Sequence, residues 1–245
     1  MKRKTNDSCT TCLYGRILEN KVPDKKVLNR TLHREIDLLK KMFIDLGSLV
    51  EDRLHKACIA IESGDKELAE DIIRTDNVID QMEVQIEEEC LKVLALHQPV
   101  ASDLRLIVAI IKINNELERI GDMAVGIARR VQVIQQEAAS FAVDYTAMAV
   151  KVLGMIKMSL DALLTENADL ARKIFLEDQE VDTLRNEAYQ TVVKELNADT
   201  AGHAAALLNM YLLARHLERI GDRACNIAEE VIYLVEGDIV RNEEK

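Results

Sequence analysis

The sequence predicts an all-α protein made of two tandem, pseudo-symmetric three-helix bundles, six long antiparallel helices in all. Three observations carry that reading. Only two prolines and nine glycines punctuate 245 residues, too few turn signals for a sheet protein of this length. Ala, Leu, Ile, Glu, Lys and Arg dominate, most of them good helix formers. The phrase Leu-Glu-Arg-Ile-Gly-Asp occurs twice, at residues 117–122 and 217–222, in the same apolar setting.

The elements follow in order. Residues 1–30 form a basic extension without helical period, carrying eight Lys/Arg against three Asp/Glu. The first helix is expected over residues 31–62, on a stripe of Leu38, Met42, Leu46, Leu49, Ala57 and Ile61. Glu-Ser-Gly-Asp at 62–65 ends it. The second runs over 66–96 on Leu68, Ile72, Ile79, Met82, Ile86, Cys90 and Val93, and His-Gln-Pro closes it. The third covers 100–136 on Leu106, Ile110, Ile113, Leu117, Ile120, Ala124, Ile127, Val131 and Ile134. The plan then repeats with helices over 143–164, 170–196 and 204–236, the last capped by Gly237. A shift of 100 residues lays Met210, Leu213, Leu217, Ile220, Ala224, Ile227, Val231 and Leu234 on the third-helix stripe. A shift of 102 lays Asp178 and Asp182 on Asp76 and Asp80. Short links between long helices force antiparallel neighbours. The expected units are 1–30, 31–137 and 138–245.

Charge narrows the function classes. The net charge is −11, and the body without its basic extension is more acidic still. Such a body disfavours nucleic acid and suits cations or basic protein surfaces. No apolar run is long enough for a membrane-spanning helix, and the basic start lacks the apolar core of a secretory signal. A cytoplasmic protein with reduced thiols at Cys58, Cys90 and Cys225 is expected. Cys9 and Cys12 form a C-x-x-C in the extension. Without a second cysteine or histidine pair this falls short of a zinc site. His97, His203 and His216 read as structural or surface residues.

The acidic pairs carry the chemistry. Glu118 and Asp122 lie one helical turn apart, as do Glu218 and Asp222, and both pairs point away from the core stripe. Leu104, Ile107, Ile111 and Val125 share that outer face, as do Leu207 and Tyr211 in the second copy, so each helix is apolar on two sides. Like charges at i, i+4 weaken a helix, and the glycines inside the same turn, Gly121 and Gly221, cost about 1 kcal/mol each relative to alanine. Unfavourable local choices made twice point to function: each glycine removes a side chain where another helix or an ion can approach. Asp76 with Asp80, and Asp178 with Asp182, repeat the i, i+4 spacing on the preceding helices. If those helices flank the third and sixth, four carboxylates converge per repeat. A site of carboxylates without cysteine or histidine suits Mg²⁺, Mn²⁺, Ca²⁺ or iron.

These motifs resemble the PhoU family of phosphate-transport regulators. The resemblance rests on the twin Leu-Glu-Arg-Ile-Gly-Asp phrases, on the acidic pairs before them, on Gln-Pro-Val-Ala-Ser-Asp-Leu-Arg at 98–105, and on the segment from Glu218 through Asn226 to Gly237. It covers residues 31–240. It implies two pseudo-symmetric three-helix bundles and metal ions held by Asp76, Asp80, Glu118 and Asp122, then by Asp178, Asp182, Glu218 and Asp222. It also implies a homodimeric negative regulator of phosphate uptake and of the starvation response. Such a regulator contacts the phosphate ABC transporter ATPase and a sensor histidine kinase. Two features depart from the family pattern: the extension with Cys9 and Cys12, and Arg223, where many members carry histidine. No catalytic triad, phosphate-cradling glycine loop or cofactor fingerprint is visible, so a regulatory adaptor is expected rather than an enzyme. The alternatives are a carboxylate-bridged di-iron enzyme and a purely structural helical scaffold. The former uses Glu-x-x-His on inward faces, and neither Glu118 nor Glu218 is followed by histidine at that spacing.

Overall fold

The computed structural model describes residues 25–137, 142–198, 202–238 and 240. Among them the chain is helical, in the order α1 (Lys25–Ser63), α2 (Lys66–Arg74), α3 (Asn77–His97), α4 (Ala101–Gln136), α5 (Thr146–Leu164), α6 (Ala168–Ala198) and α7 (Ala204–Glu236). The six-helix plan holds, with the second helix written as two pieces around Thr75 and Asp76. α1 starts at Lys25, inside the segment read as irregular. Cys9 and Cys12 lie outside the described residues.

Local chemistry explains the boundaries. Asp65 caps α2, its Oδ1 accepting from the amides of Glu67 at 2.9 Å and Leu68 at 3.1 Å. Gly237 takes the left-handed conformation (φ 84°) and its amide donates to the Tyr233 carbonyl, closing α7. The break after Arg74 has a tertiary partner. Buried Arg53 of α1 donates to the carbonyls of Thr75 and Asp76 and to Asp76 Oδ1 at 3.3 Å. One guanidinium therefore braces both carbonyls at the break, where the Thr75 carbonyl otherwise accepts only the short-range amide of Val78 at 3.3 Å.

Each repeat packs its own three arms: α1 against α2, α3 and α4; α5 against α6 and α7. The repeats meet chiefly through α4 on α7, with a smaller contact of α1 on α5. The seam runs antiparallel, since partners that ascend on α4 descend on α7. Lys112 bonds Glu230 (2.9 Å), Glu116 accepts from Asn226 (3.2 Å) and Arg223 (3.0 Å), and Arg130 donates to Asn209 (3.1 Å). One continuous apolar core crosses this seam.

The sequence stripe of the first helix is corrected at its start. Leu38 is 52% exposed, while Leu32, Ile36, Leu39 and Phe43 are buried. Leu38 and Leu39 are adjacent, and helical period alone does not choose between neighbouring leucines. The outer face assigned to α4 is also corrected. Ile107 and Val125 are buried and Ile111 is packed on the core. Asn114, one turn before Glu118, donates to the Glu83 carbonyl of α3 at 2.9 Å. The second apolar side is thus turned to α2 and α3, while α1 and α7 take the rest.

Replacing Arg53 by methionine leaves the Thr75 and Asp76 carbonyls and the Asp76 carboxylate without this donor. Breaking a buried pair costs about 3–5 kcal/mol, and solvent at the 31% exposed Asp76 side chain reduces that to about 2–3 kcal/mol. Chemical denaturation of Arg53→Met should show that loss; unchanged stability would remove Arg53 from the account of the helix break.

Candidate metal site

The break in the second helix places Asp76 at the start of α3 and Asp80 one turn on, facing α4. Asp122 comes from α4, and one carboxylate oxygen from each of Asp76, Asp80 and Asp122 lies within 4.8 Å of the others. Among the described residues this is the group of possible ligands that converges so closely. Glu118, one turn before Asp122, joins the same field. Burial, then Asp122, Asp80 and Glu83, push its carboxyl up to about 6, against Arg119. Asp76 is also pushed up, first by burial, although Arg53 opposes the shift. Arg53 itself is pushed down by burial despite Asp76, Asp80 and Asp122. Desolvation outweighs attraction for both members of this pair, as for many buried ion pairs.

The second repeat is built differently. Asp178 and Glu218 are buried, at 9% and 5% exposure, and Asp182 and Asp222 act on Glu218 as like charges. Arginines, however, already reach this group. Arg215 Nη1 donates to Glu218 Oε1 at 2.5 Å, and Arg185 Nη2 lies 3.9 Å from the same oxygen and 3.6 Å from Asp182. Glu218 Oε2 is buried without a hydrogen-bond partner. The shift of 102 residues that aligns the acids puts Arg185 on Glu83 and Met155 on Arg53. The structure agrees with that alignment: a β-carbon built at Gly121 meets Arg53, and one built at Gly221 meets Met155.

The residues therefore fit a cation unequally. Asp76, Asp80 and Asp122, with Glu118 beside them, offer hard oxygen donors whose charge Arg53 balances only at Asp76, suited to Mg²⁺, Mn²⁺, Ca²⁺ or iron. Asp178, Asp182, Glu218 and Asp222 carry the same letters, but two guanidiniums stand where a cation would bind. Sequence reasoning did not single out Arg53, Glu83, Arg185 or Arg215. A signal existed for the first: Arg53 continues the 46, 50, 57 spacing of buried α1 residues, an odd place for a charge. Aligning the repeats exposes the Glu83/Arg185 reversal.

The glycines serve the approach of a helix. The Gly121 β-carbon would lie 3.0 Å from Ile79 Cδ1 of α3, and that of Gly221 would lie 3.1 Å from Asp178 Oδ1 of α6. Their small size lets α3 and α6 come close enough to bring Asp76, Asp80 and Asp178 beside the α4 and α7 acids. Of the histidines singled out in the sequence, His97 Nε2 pairs with Glu35 at 2.8 Å, and His203 precedes α7 without a side-chain cap bond. His216 packs over Gly126, whose β-carbon would lie 2.8 Å from the ring. Burial, then Arg130 and Arg219, pull its imidazole down to about 4.

The described residues form two tandem helical repeats with acidic pairs at the helix crossings, and no helix among them is long and apolar enough to cross a membrane; this defines a helical-bundle repeat protein. The PhoU domain family matches twice, at residues 43–131 and 145–231, and the chain belongs to the PhoU family. The phosphate-specific transport system accessory protein PhoU homolog of Pseudomonas aeruginosa is 38% identical over 217 residues, covering 88% of this chain and 89% of that protein. The accessory protein PhoU of Escherichia coli is 33% identical over 221 residues, covering 89% and 90%. The crystal structure of PhoU from P. aeruginosa superposes with a TM-score of 0.80, covering 84% of this chain and 99% of that one, at 38% identity. The PhoU phosphate transport regulatory protein of Streptococcus pneumoniae gives 0.78, covering 87% and 99%, at 31% identity. The relatives are named as accessory proteins; the family is regulatory and not enzymatic.

Gly121→Ala gains up to about 1 kcal/mol of helix propensity but forces a methyl against buried Ile79, and overpacking costs about 1–3 kcal/mol. A net loss of about 1 kcal/mol is expected in thermal unfolding. The double variant with Ile79→Val should recover part of it. A more stable single variant would show that α3 yields freely at this crossing.

Proposed function

We propose that this chain is a metal-binding regulatory adaptor of phosphate uptake, acting in the cytoplasm by restraining a phosphate ABC transporter through its ATPase and a sensor histidine kinase. Membership of a family whose relatives are named for phosphate-specific transport supports that reading. The observation that carries the metal part is the convergence of Asp76, Asp80 and Asp122. Those residues, with Glu118, would hold a divalent or ferric ion in the groove between α3 and α4. Asp178, Asp182, Glu218 and Asp222 would accept one only after Arg185 and Arg215 withdraw, so this repeat should bind more weakly.

The partner surface would lie elsewhere than the acidic faces alone suggested. Ile107 is buried, and Tyr211 is partly buried and stacked edge-on against Tyr189, with ring centroids 5.5 Å apart, so Ile107 is not available to a partner and Tyr211 is largely engaged. Leu91, Leu96, Val100 and Leu104, around the α3–α4 turn, are 40–74% exposed. Within that turn Gln98 and Ala101 both hold positive φ, at 46° and 50°, an uncommon conformation for residues other than glycine. Exposed apolar side chains on a rigid, strained turn offer desolvated contact area. The acidic body would speed encounter with a basic partner and lose that advantage as salt rises. A homodimer would present this turn twice.

Metal content of the purified protein tests the first part. Asp80→Asn with Asp122→Asn should abolish most bound metal, while Asp182→Asn with Asp222→Asn should change it little. Equal losses in both, or none in either, would reject the unequal sites. The Glu118 carboxyl, raised from about 4.3 in the unfolded chain to about 6, favours the protonated folded state. In the metal-free protein this group therefore lowers stability as pH rises from about 4 to about 6, with the full loss above that window. A cation displaces the proton, so binding should weaken below about pH 6 and release protons at pH 5 but not at pH 8. Calorimetry in buffers of different ionisation enthalpy would detect that release.

Deleting the gene in its host should raise phosphate-starvation gene expression while phosphate is plentiful, and the intact gene should restore repression. Normal repression in the deletion strain, with no second family member present, would reject the regulatory role. Full rescue by a gene altered at Asp80 and Asp122 would separate regulation from metal.

A further inference from the structure

The acidic groove is not the only charged concavity. A cleft of about 330 Å³ opens between α4 and α7, lined by Arg119, Asp122 and Met123 on one side and by His216, Arg219 and Arg223 on the other. Three guanidiniums thus face a single carboxylate, in a chain whose net charge is −11. Arg223 is partly engaged, since Glu116 accepts from its Nη1 at 3.0 Å. Arg119 and Arg219, the paired arginines of the repeated phrase, have no hydrogen bond or ion pair among the described residues. Arg119 feels Glu118 only through space, and Asp122 is the one carboxylate among the residues that line the cleft. Two further buried atoms of the cleft residues, Arg223 Nε and His216 Nδ1, also lack a hydrogen-bond partner, and buried polar atoms in that state call for one. The ring of His216 is held there because Gly126 leaves room for it.

We propose that this cleft is a binding site for a multiply charged oxyanion of the phosphate class, gripped by Arg119 and Arg219 with Arg223 as its floor. Guanidiniums present paired N–H donors that match phosphate oxygens. The volume lies at the lower end of small-molecule sites, so it admits free inorganic phosphate or the phosphoryl end of a nucleotide. The site is separate from the proposed metal groove but shares Asp122 with it. A cation on Asp122 would lessen the repulsion that this carboxylate exerts on the anion, and anion binding should then be tighter with metal present.

Isothermal titration in metal-stripped buffer, with chloride holding ionic strength constant, tests the site directly. Inorganic phosphate and ATP are the two probes. Saturable binding with Kd on the order of 1 mM or tighter is expected. Equal binding of the two would identify the free ion as sufficient, and binding of ATP alone would assign the site to a nucleotide. Both side chains are exposed and without partners, so Arg119→Gln with Arg219→Gln should keep the native unfolding temperature. That variant should weaken binding by about tenfold or more. The His216 ring signals in proton NMR should shift with the same saturation curve. Failure of both probes to saturate below about 10 mM, unchanged affinity in the folded double variant, or an unmoved His216 would overturn the proposal.

Discussion

The constraint on which this molecule turns is the burial of α4 and α7 from three directions. Each is flanked by the other helices of its repeat and by its counterpart across the seam. A helix so enclosed keeps only a narrow solvent face, with Asn115, Arg119 and Asp122 on α4 and Leu208, Arg215 and Arg219 on α7, so several of its polar residues sit in grooves between neighbours. That explains why Glu218 is 5% exposed and why burial pushes the Glu118 carboxyl up to about 6. It also explains the glycines. With helices closing on every side, a residue at the crossing can have no side chain unless a neighbour retreats, and Ile79 and Asp178 stand at contact distance from Gly121 and Gly221.

Within that shared frame the two repeats have diverged in charge. Arg53 enters the first core, holds the break between α2 and α3, and leaves the outer mouth of the groove to Asp80, Glu83 and Asp122. Met155 takes the corresponding place in the second, which removes the internal cation, while Arg185 and Arg215 approach Glu218 from outside. The two solutions differ. One repeat pairs only its innermost carboxylate, Asp76, with a cation of its own. The other brings two arginines, Arg185 and Arg215, to Glu218. Pseudo-symmetry of the backbone therefore does not extend to the electrostatics, which depend on a few side chains rather than on the helix frame.

Asp122 sits where two fields of opposite sign meet. On one side it completes the acidic trio with Asp76 and Asp80; on the other it lines the arginine cleft. Charges near a protein surface interact more strongly than the same charges in bulk water, so a ligand on one side would be felt on the other. The seam is also where the repeats are joined, through Lys112–Glu230 and Glu116–Arg223. Ligands bound there would act on the junction between repeats directly.

The sequence alone determined the helical class, the internal repeat, the central core stripe of α4 and α7, and the identity of the acidic pairs, but not the second buried side that includes Ile107, Val125, Leu207 and Ile232. Those are properties of period and duplication, and a helix imposes its 3.6-residue period whatever surrounds it. It did not determine which of two adjacent leucines, Leu38 or Leu39, turns inward, because the neighbour that settles the choice belongs to another helix. It did not show that the second apolar side of α4 faces α2 and α3 instead of solvent. Nor did it separate the two sets of carboxylates, identical in letters, into one open to a cation and one closed by arginines. Arg185 lies near Glu218 only because α6 packs on α7, and Arg53 reaches Thr75 only because α1 crosses the break. Distances between side chains far apart in the chain are set by helix packing, and packing is what separated the two sets of carboxylates.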